Sequence, residues 1–439
     1  MKISDIKVDK VYFAIPAIAL FGDFVLKRLL SPTRALASLY ALALLVLVWM
    51  VVLKRDKQPL RPVALERRMS FVVYYIMSLY CLQALISLNV SFLYSFTHMS
   101  YICVPLLYIP IILKYCPDFD LKKLSTIFLL MMIPVNAVGL IQHFINPGFL
   151  ISAAYSETGG IVLRGLHGGF FVRYPSIFAS ADRYSAIGST QLYFTIILLS
   201  LSWEKTKRIS PWIYFNLISA ITALFIAGAR SRLFVVLISI ILMTMSSLLF
   251  GNILVFLRRV SKQIQFVIPF ALGIGILVFV YNPNFLSSIS SKFQVINLAI
   301  DSITEGKTKD RVGRYASRSL LTDNISLTGK GLGSLGKRGK PAEIGVESMW
   351  IECGLISGSL ILIGYSGIIL ILALLSLQAF TRGQPLRVCI FALPALALLA
   401  GLLTGLTSIF ELSSGILLMS GIAGTILYFS PPFGRRINQ

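Results

Sequence analysis

Three groups of arginine residues lie between or at the ends of the long apolar segments of this 439-residue chain. The groups are Arg173 with Arg183, Arg230 with Arg232, and Arg311 with Arg314 and Arg318. A guanidinium group can bind the paired oxygens of a phosphate through two parallel hydrogen bonds. A single arginine at the end of an apolar segment can instead extend to lipid headgroups. Three such groups on one side of a membrane favour a shared phosphate or pyrophosphate ligand.

Two carboxylates follow the third arginine group, where the chain returns to an apolar segment. Glu347 opens that segment, and Glu352 lies further inside it. Glu347 can act as a helix N-terminal carboxylate that the helix dipole stabilises, or as a general base for a sugar hydroxyl. Glu352 is a candidate because ionisable residues are rare within membrane spans and usually functional. Asp182 and Glu411 are secondary candidates.

Neither a metal site nor a cofactor site is predicted. The glycine-rich run at 329–333 lacks a surrounding βαβ unit, so its expected role is a tight turn that returns the chain to the membrane. The three histidines do not share ligand spacing; they are His98, placed in a short loop at 93–99, His143 and His167. The five cysteines are scattered and imply no disulfide framework.

Composition indicates an all-α polytopic membrane protein. Hydrophobic residues make up 56% of the chain and charged residues 13%, about half the charged fraction of a soluble protein. About twelve transmembrane helices are predicted from apolar runs of the length that crosses a bilayer. They are placed at 11–30, 35–53, 69–92, 100–115, 125–146, 186–202, 211–229, 233–250, 264–282, 347–376, 386–405 and 409–429.

The charge of the loops predicts the orientation. Lysine and arginine concentrate on cytoplasmic loops, and every loop on one side is basic if the N-terminus is cytoplasmic. This also accounts for much of the net charge of +22, so nucleic acid is not an expected partner. Two long loops, 147–185 and 283–346, then fall on the outer side. The second is expected to contain short helices, and residues 1–439 form a single integral membrane domain.

The order of these motifs resembles that of bacterial O-antigen polymerases and the related O-antigen ligases, which are integral membrane glycosyltransferases. The shared region of that family begins with a Ser-Arg pair after a span, and Ser231-Arg232 resembles this element. It continues with an arginine, an aromatic residue and a Gly-x-Gly turn in a large loop. Arg311 or Arg314, followed by Tyr315 and the glycine-rich run, resembles that element.

Two further elements carry the resemblance, which covers about residues 170–375. The run from Glu347 to Gly358 resembles the block that opens the next span. The run from Arg173 to Phe178 resembles a weaker upstream element, with Ser176 in place of a glycine. Ligases of the family typically carry histidine where this chain has Glu347. That departure favours a polymerase; a ligase that transfers the glycan to lipid A–core and a lipid-linked oligosaccharide flippase remain alternatives.

The resemblance implies a GT-C-like fold in the bacterial inner membrane, with both termini cytoplasmic and the active site periplasmic. The donor would be a glycan on undecaprenyl pyrophosphate, and the acceptor another lipid-linked repeat unit. Arg232 with Arg311 or Arg314 would stabilise the pyrophosphate leaving group, while Glu347 would orient or deprotonate the acceptor. The predicted substrate-binding residues are Arg173, Arg230, Arg318, Glu352 and Tyr315. Membrane lipids, a chain-length regulator protein and a flippase are further expected partners.

Overall fold

The structure of the protein is a computed structural model. It describes residues 12–22, 24–26, 32–54, 64–87, 90, 92–116, 118–146, 149–150, 162–164, 170–172, 174–178, 181–206, 210–227, 230–249, 326–332, 334, 346–404 and 412–429.

The described residues form helices wherever the sequence has a long apolar run, because a chain in lipid must pair its own backbone groups. The helices are α1 Tyr12–Gly22, α2 Pro32–Lys54, α3 Ala64–Ile86, α4 Phe92–Tyr115, α5 Leu121–Phe144, α6 Ala181–Thr206, α7 Pro211–Ile226, α8 Arg230–Leu249, α9 Val346–Thr381, α10 Pro385–Thr404 and α11 Leu412–Phe429. The end of α1, Ile18–Gly22, is π-helical.

Six of these helices, α3, α4, α5, α6, α9 and α10, are long and apolar enough to cross a membrane. The shorter described helices are also apolar. The prediction of a polytopic helical membrane protein is therefore confirmed. Each predicted span falls on a described helix except 264–282, which lies outside the described residues, as do residues 283–325 of the long loop, where short helices were expected. The count of about twelve spans and the GT-C-like fold stay predictions.

A short antiparallel ribbon departs from the all-helical expectation. Strand β1, Val162–Arg164, pairs with strand β2, Phe170–Val172, within the predicted outer loop at 147–185. The two strands consist mainly of valine, leucine and phenylalanine. Valine and phenylalanine favour extended structure. The glycines between the strands favour a turn, so two short extended runs around glycines were the available signal for this ribbon.

Arg232 and the pair of His98 and Glu352 lie towards the same end of the helix bundle. Arg232, near the start of α8, shares a pocket with Ala397 in the second half of α10. The turn at 382–384 joins α9 to α10, so α9 runs antiparallel to α10 and begins at the same end. Helix α4 begins there too, since His98 near its start contacts Glu352 near the start of α9. We call this end of the bundle the Arg232 end.

The opposite end of the bundle carries basic residues. Helices α4 and α9 finish there, and α5 and α10 begin there. The described basic residues at these turns are Lys114, Lys122, Lys123, Arg382 and Arg387. Lys123 lies over the ring of Tyr12 at 5.8 Å, and Arg387 lies over the ring of Phe429 at 5.1 Å. Described basic residues also lie at the Arg232 end, namely Arg183, Arg232 and Lys330, so the orientation stays a prediction.

Candidate functional site

Arg232 is buried at the end of the bundle that bears its name. Its side chain is 5% exposed, and its Nη1 donates to the Ser189 Oγ atom of α6 at 3.3 Å. A buried guanidinium is retained in a membrane protein mainly where it pairs, faces a cavity or serves a function. Helix α8 places it there because the chain turns back into the membrane at Arg230, directly after α7. The sequence predicted this residue, and the structure locates it in the core.

A small pocket opens beside the Arg232 side chain. Its polar lining comes from Ser189, Thr190, Arg232 and Ser414, and its apolar lining from Ala186, Leu393, Ala397 and Leu418. The cavity volume is about 10 Å³, about the space that one water molecule needs. The Arg232 guanidinium can donate to an anion at this pocket, whereas the Ser189 and Thr190 hydroxyls already donate to the Ala186 carbonyl. The pocket cannot enclose a whole oligosaccharide.

A tight buried turn brings the upstream motif to the same end of the bundle. Ser176 has a φ of 54° and is buried. The Tyr174 N–H donates to the Ile226 carbonyl at 3.3 Å, at the end of α7. Burial raises the pKa of the Tyr174 phenol above its ordinary value, so the phenol stays neutral. The turn therefore holds Tyr174 against the end of α7, a few residues before the start of α8.

Gln142 of α5 holds this turn in place. Its side-chain amide donates to the Ser176 carbonyl at 2.9 Å and to the Phe149 carbonyl at 2.7 Å. Its oxygen accepts from the Ser176 N–H at 2.8 Å. The Ser176 hydroxyl in turn donates to the Val135 carbonyl at 2.6 Å. A non-helical turn buried in a membrane bundle needs such partners for its backbone groups.

Replacing Gln142 with leucine should destabilise the protein by about 3 kcal/mol or more, because it leaves several buried polar groups of the turn unpaired. The measurement is thermal unfolding of the detergent-purified protein, where we expect Tm to fall by several degrees. Thr126→Val is the matched control, since that exposed hydroxyl on the same helix bonds only to the carbonyl four residues earlier. A Gln142→Leu protein with the Tm of the wild type would show that the turn does not depend on this side chain.

A second polar cluster forms where helix α9 is broken. Gly354 has φ 80° and ψ 167°, so the helix is interrupted there. The segment at 326–331 pairs with the interrupted backbone. Lys330 N–H donates to the Ile351 carbonyl at 2.8 Å, Gly331 N–H to the Glu352 carbonyl at 3.0 Å, and Leu355 N–H to the Ser326 carbonyl at 3.0 Å. The predicted glycine turn exists, and it supplies the hydrogen bonds that the break removes from the helix.

Polar side chains of α4 and of the end of α3 hold the same segment, which we call the docked segment, residues 326–332. Leu332 is fully buried, its N–H donates to Ser87 Oγ at 2.8 Å, and its carbonyl accepts from Ser95 Oγ at 3.0 Å. Gln83 Nε2 donates to the Thr328 carbonyl at 3.3 Å. These contacts explain why α3 and α4 carry polar residues within apolar runs.

His98 and Glu352 form a buried pair beside the docked segment. His98 Nε2 lies 3.4 Å from Glu352 Oε2, and the two side chains are 3% and 5% exposed. The expectation that His98 lies in a short outer loop is wrong, because the residue belongs to helix α4. Hydropathy placed the start of the fourth span too late, since Ser95 and His98 are polar residues that face the core. Glu352 was predicted as a site residue, and its partner was not.

Among the described residues, no group of three or more histidine, cysteine or carboxylate side chains is arranged to hold a metal ion. The chain matches no family model, and no curated protein matches it. The resemblance to O-antigen polymerases and ligases therefore rests on the motifs and their order.

The remaining predicted site residues divide into three sets. Glu347 and Arg230 lie in the first turns of α9 and α8, with their side chains outside the described part of the chain. The residues that fall wholly outside it are Arg173, Arg311, Arg314, Tyr315, Arg318 and Glu411. Arg183 and Asp182 lie at the start of α6, at the Arg232 end, and Asp182 is exposed.

Sequence reasoning missed Gln83, His98 and Gln142 as structural or functional candidates. The available signal was the same for each, namely a polar side chain with strong hydrogen-bonding capacity inside an apolar run. Their partners are distant in sequence, so their positions in the core were not predictable from local pattern.

Proposed function

We propose that the protein is an O-antigen polymerase, a membrane glycosyltransferase that uses a polyprenyl-pyrophosphate-linked glycan donor. It would transfer the glycan to the non-reducing end of another lipid-linked repeat unit at the periplasmic face of the bacterial inner membrane. The observation that carries the proposal is Arg232, a buried arginine that faces a hydroxyl-lined pocket at one end of a membrane bundle. The order of the family-like motifs supports the same reading.

The distribution of charge supports a periplasmic site. The basic turns lie at the end of the bundle opposite Arg232, and basic turns favour the cytoplasm. With that end inside, the pocket, the tight turn at Ser176 and the docked segment all face the periplasm. The predicted long loop at 283–346 would then extend over the same end and bring its arginines towards Arg232. Cytoplasmic positions for both termini belong to this proposal.

The proposed chemistry needs fixed positive charge at the leaving group. Breaking the bond from the anomeric carbon to the pyrophosphate places negative charge on a phosphate oxygen, and preorganised donors stabilise that charge. Arg232 can supply hydrogen-bond donors at the pocket, and Arg311 or Arg314 would complete the clamp. Arg173, Arg230, Arg318 and Tyr315 are proposed to position the donor.

One observation favours a second candidate, a lipid-linked oligosaccharide flippase. Interrupted helices beside non-helical segments are a recurrent feature of transporters, and α9 is interrupted at Gly354 where the docked segment pairs with it. A flippase would need polar residues along a path through the membrane. The described residues include one polar cluster deeper in the bundle, where Asn136 of α5 donates to Gln191 of α6 and to Ser219 of α7. The choice between the two candidates therefore depends on the assay below.

The test is a reaction of the purified protein with undecaprenyl-pyrophosphate-linked repeat units, resolved on a gel. A ladder of longer glycans, with release of undecaprenyl pyrophosphate, is the result expected of a polymerase. Products that form only after addition of lipid A–core would identify a ligase. Failure in both reactions, together with movement of the lipid-linked unit across proteoliposomes, would replace the enzyme with a flippase.

Replacing Glu347 with glutamine should slow ladder formation at least about tenfold, because a neutral amide orients and polarises the acceptor hydroxyl less well. Affinity for undecaprenyl pyrophosphate should not change, since the residue is assigned to the acceptor. The two readouts are the rate of the gel assay and equilibrium binding of fluorescent undecaprenyl pyrophosphate. If the rate of ladder formation did not change, Glu347 would have no role in the reaction.

A further inference from the structure

His98 and Glu352 lie close enough to share one proton. An ionised carboxylate only accepts hydrogen bonds, and a neutral imidazole has one donor nitrogen and one acceptor nitrogen. Two bare lone pairs at 3.4 Å would repel, so a proton must lie between His98 Nε2 and Glu352 Oε2. The arrangement that keeps the imidazole neutral and the carboxylate ionised puts this proton on Nε2. Glu352 then fixes the tautomer of His98.

The other ring nitrogen of His98 is the unusual atom. In that tautomer Nδ1 carries a lone pair, and the buried Nδ1 atom has no hydrogen-bond partner among the described residues. Buried polar atoms without partners are uncommon and destabilising. A carboxylate that orients an imidazole whose second nitrogen has no partner is the arrangement of a general base. Because Nδ1 is buried, a sugar hydroxyl can reach it only after the chain above it moves. The Oε1 atom of Gln83 is a second buried acceptor without a partner.

The position of the pair suits a reaction at the Arg232 end. Glu352 lies about 9 Å along α9 from its first residue, at 1.5 Å per residue. The docked segment covers the pair: Gly331 bonds to the Glu352 carbonyl, and Ser95, one turn before His98 on α4, bonds to Leu332. Lys330 on the same segment is exposed. The pair therefore lies one layer of chain below the exposed surface.

We propose that His98 is the general base that deprotonates the acceptor sugar, and that Glu352 is the residue that positions it. The inference rests on the proposed function. The acceptor O–H bond breaks and its proton moves to His98 Nδ1, while the oxygen forms a new bond to the anomeric carbon of the donor. The bond from that carbon to pyrophosphate breaks, and its electron pair leaves with the pyrophosphate. Glu352 stabilises the imidazolium, and Glu347 retains the role of orienting the acceptor.

The competing explanation is a purely structural pair that ties α4 to α9. The two explanations differ in what a glutamine at position 98 does. Glutamine can still hydrogen-bond to Glu352 and fills most of the same volume, but it cannot accept a proton at neutral pH. A structural role tolerates His98→Gln, whereas a general base does not.

The experiment measures the rate of ladder formation and the binding of undecaprenyl pyrophosphate for His98→Gln, Glu352→Gln and the double variant. We expect each single variant to lose about 100-fold or more in rate, with donor binding and Tm unchanged. The glutamine of Glu352→Gln can donate to Nε2, which moves the ring proton to Nδ1 and removes the base. The rate of ladder formation in the double variant should therefore be no lower than the rate in either single variant. His143→Gln, another histidine at the same end of the bundle, should keep the wild-type rate.

A second variant keeps the test decisive if glutamine disturbs folding. His98→Ala removes the ring, and added imidazole should restore part of its rate, which no structural role predicts. Full activity of His98→Gln, or loss of donor binding together with the rate, would overturn the assignment of His98. So would a His98→Ala protein that imidazole does not restore. A wild-type protein that forms no ladder would instead overturn the proposed function and this inference with it.

Discussion

Replacing Arg232 with alanine should abolish glycan polymerisation, with a fall in the rate of ladder formation of at least about 100-fold. The guanidinium is buried, bonds to Ser189 and faces a pocket with two further hydroxyl groups. In such a water-poor site a fixed cation stabilises charge on the leaving group far more than it would in bulk water. Donor binding should also weaken, because the same charge attracts the pyrophosphate of the bound donor. The measurements are the gel assay and equilibrium binding of fluorescent undecaprenyl pyrophosphate.

Two further variants separate a specific role of Arg232 from the loss of any positive charge. Arg68→Ala is the matched control, because Arg68 is an exposed arginine in the first turns of α3, at the opposite end of the bundle. It should keep the wild-type rate. Arg232→Lys should show an intermediate rate, since lysine keeps the charge and loses the planar fork. A normally expressed Arg232→Ala protein with full activity would contradict the proposed clamp.

Much of the helical architecture was predictable because the bilayer restricts the choices of the chain. An apolar run of about 20 residues has to form a helix in lipid, and the described helices follow such runs. Arg232 was predictable for a related reason, since a charged residue at the end of an apolar run differs sharply from its sequence neighbours. Its burial and its contact with Ser189 were not, because they depend on how α8 packs against α6.

The break in α9 was not predictable from local pattern. Glycine is common in membrane helices, so Gly354 carried no more weight in the sequence than its neighbours. Its conformation depends on the docked segment, which pairs with it from more than twenty positions earlier in the chain. The same long-range pairing buried His98, because a hydropathy window cannot tell a polar residue in a loop from one that faces a core. Hydrogen bonds between residues far apart in the sequence thus determine the break in α9 and the burial of His98, which composition alone does not reveal.

Replacing Gly354 with alanine should destabilise the protein by at least about 3 kcal/mol, because φ 80° with ψ 167° is a conformation that only glycine adopts readily. The added Cβ would also lie 2.4 Å from the Leu327 carbonyl oxygen and 2.5 Å from the Thr328 carbonyl carbon. Either α9 or the docked segment must move, so the hydrogen bonds between them should break. We expect a lower Tm in detergent and loss of ladder formation.

Thiol labelling can show whether the docked segment has left α9 in the Gly354→Ala protein. Cys353 is buried next to the break, whereas Cys81 is exposed, so the measurement uses a Cys81→Ser background. Labelling of Cys353 by a maleimide should be slow in that parent protein and fast after Gly354→Ala. Gly367→Ala in the same helix is the control, since its Cβ would meet only the side chain of Val72, at 3.3 Å. If Gly354→Ala left both Tm and the labelling rate unchanged, the segment would not depend on the interrupted helix. The docked segment would then not be held over the pair of His98 and Glu352 in the way that the proposed site requires.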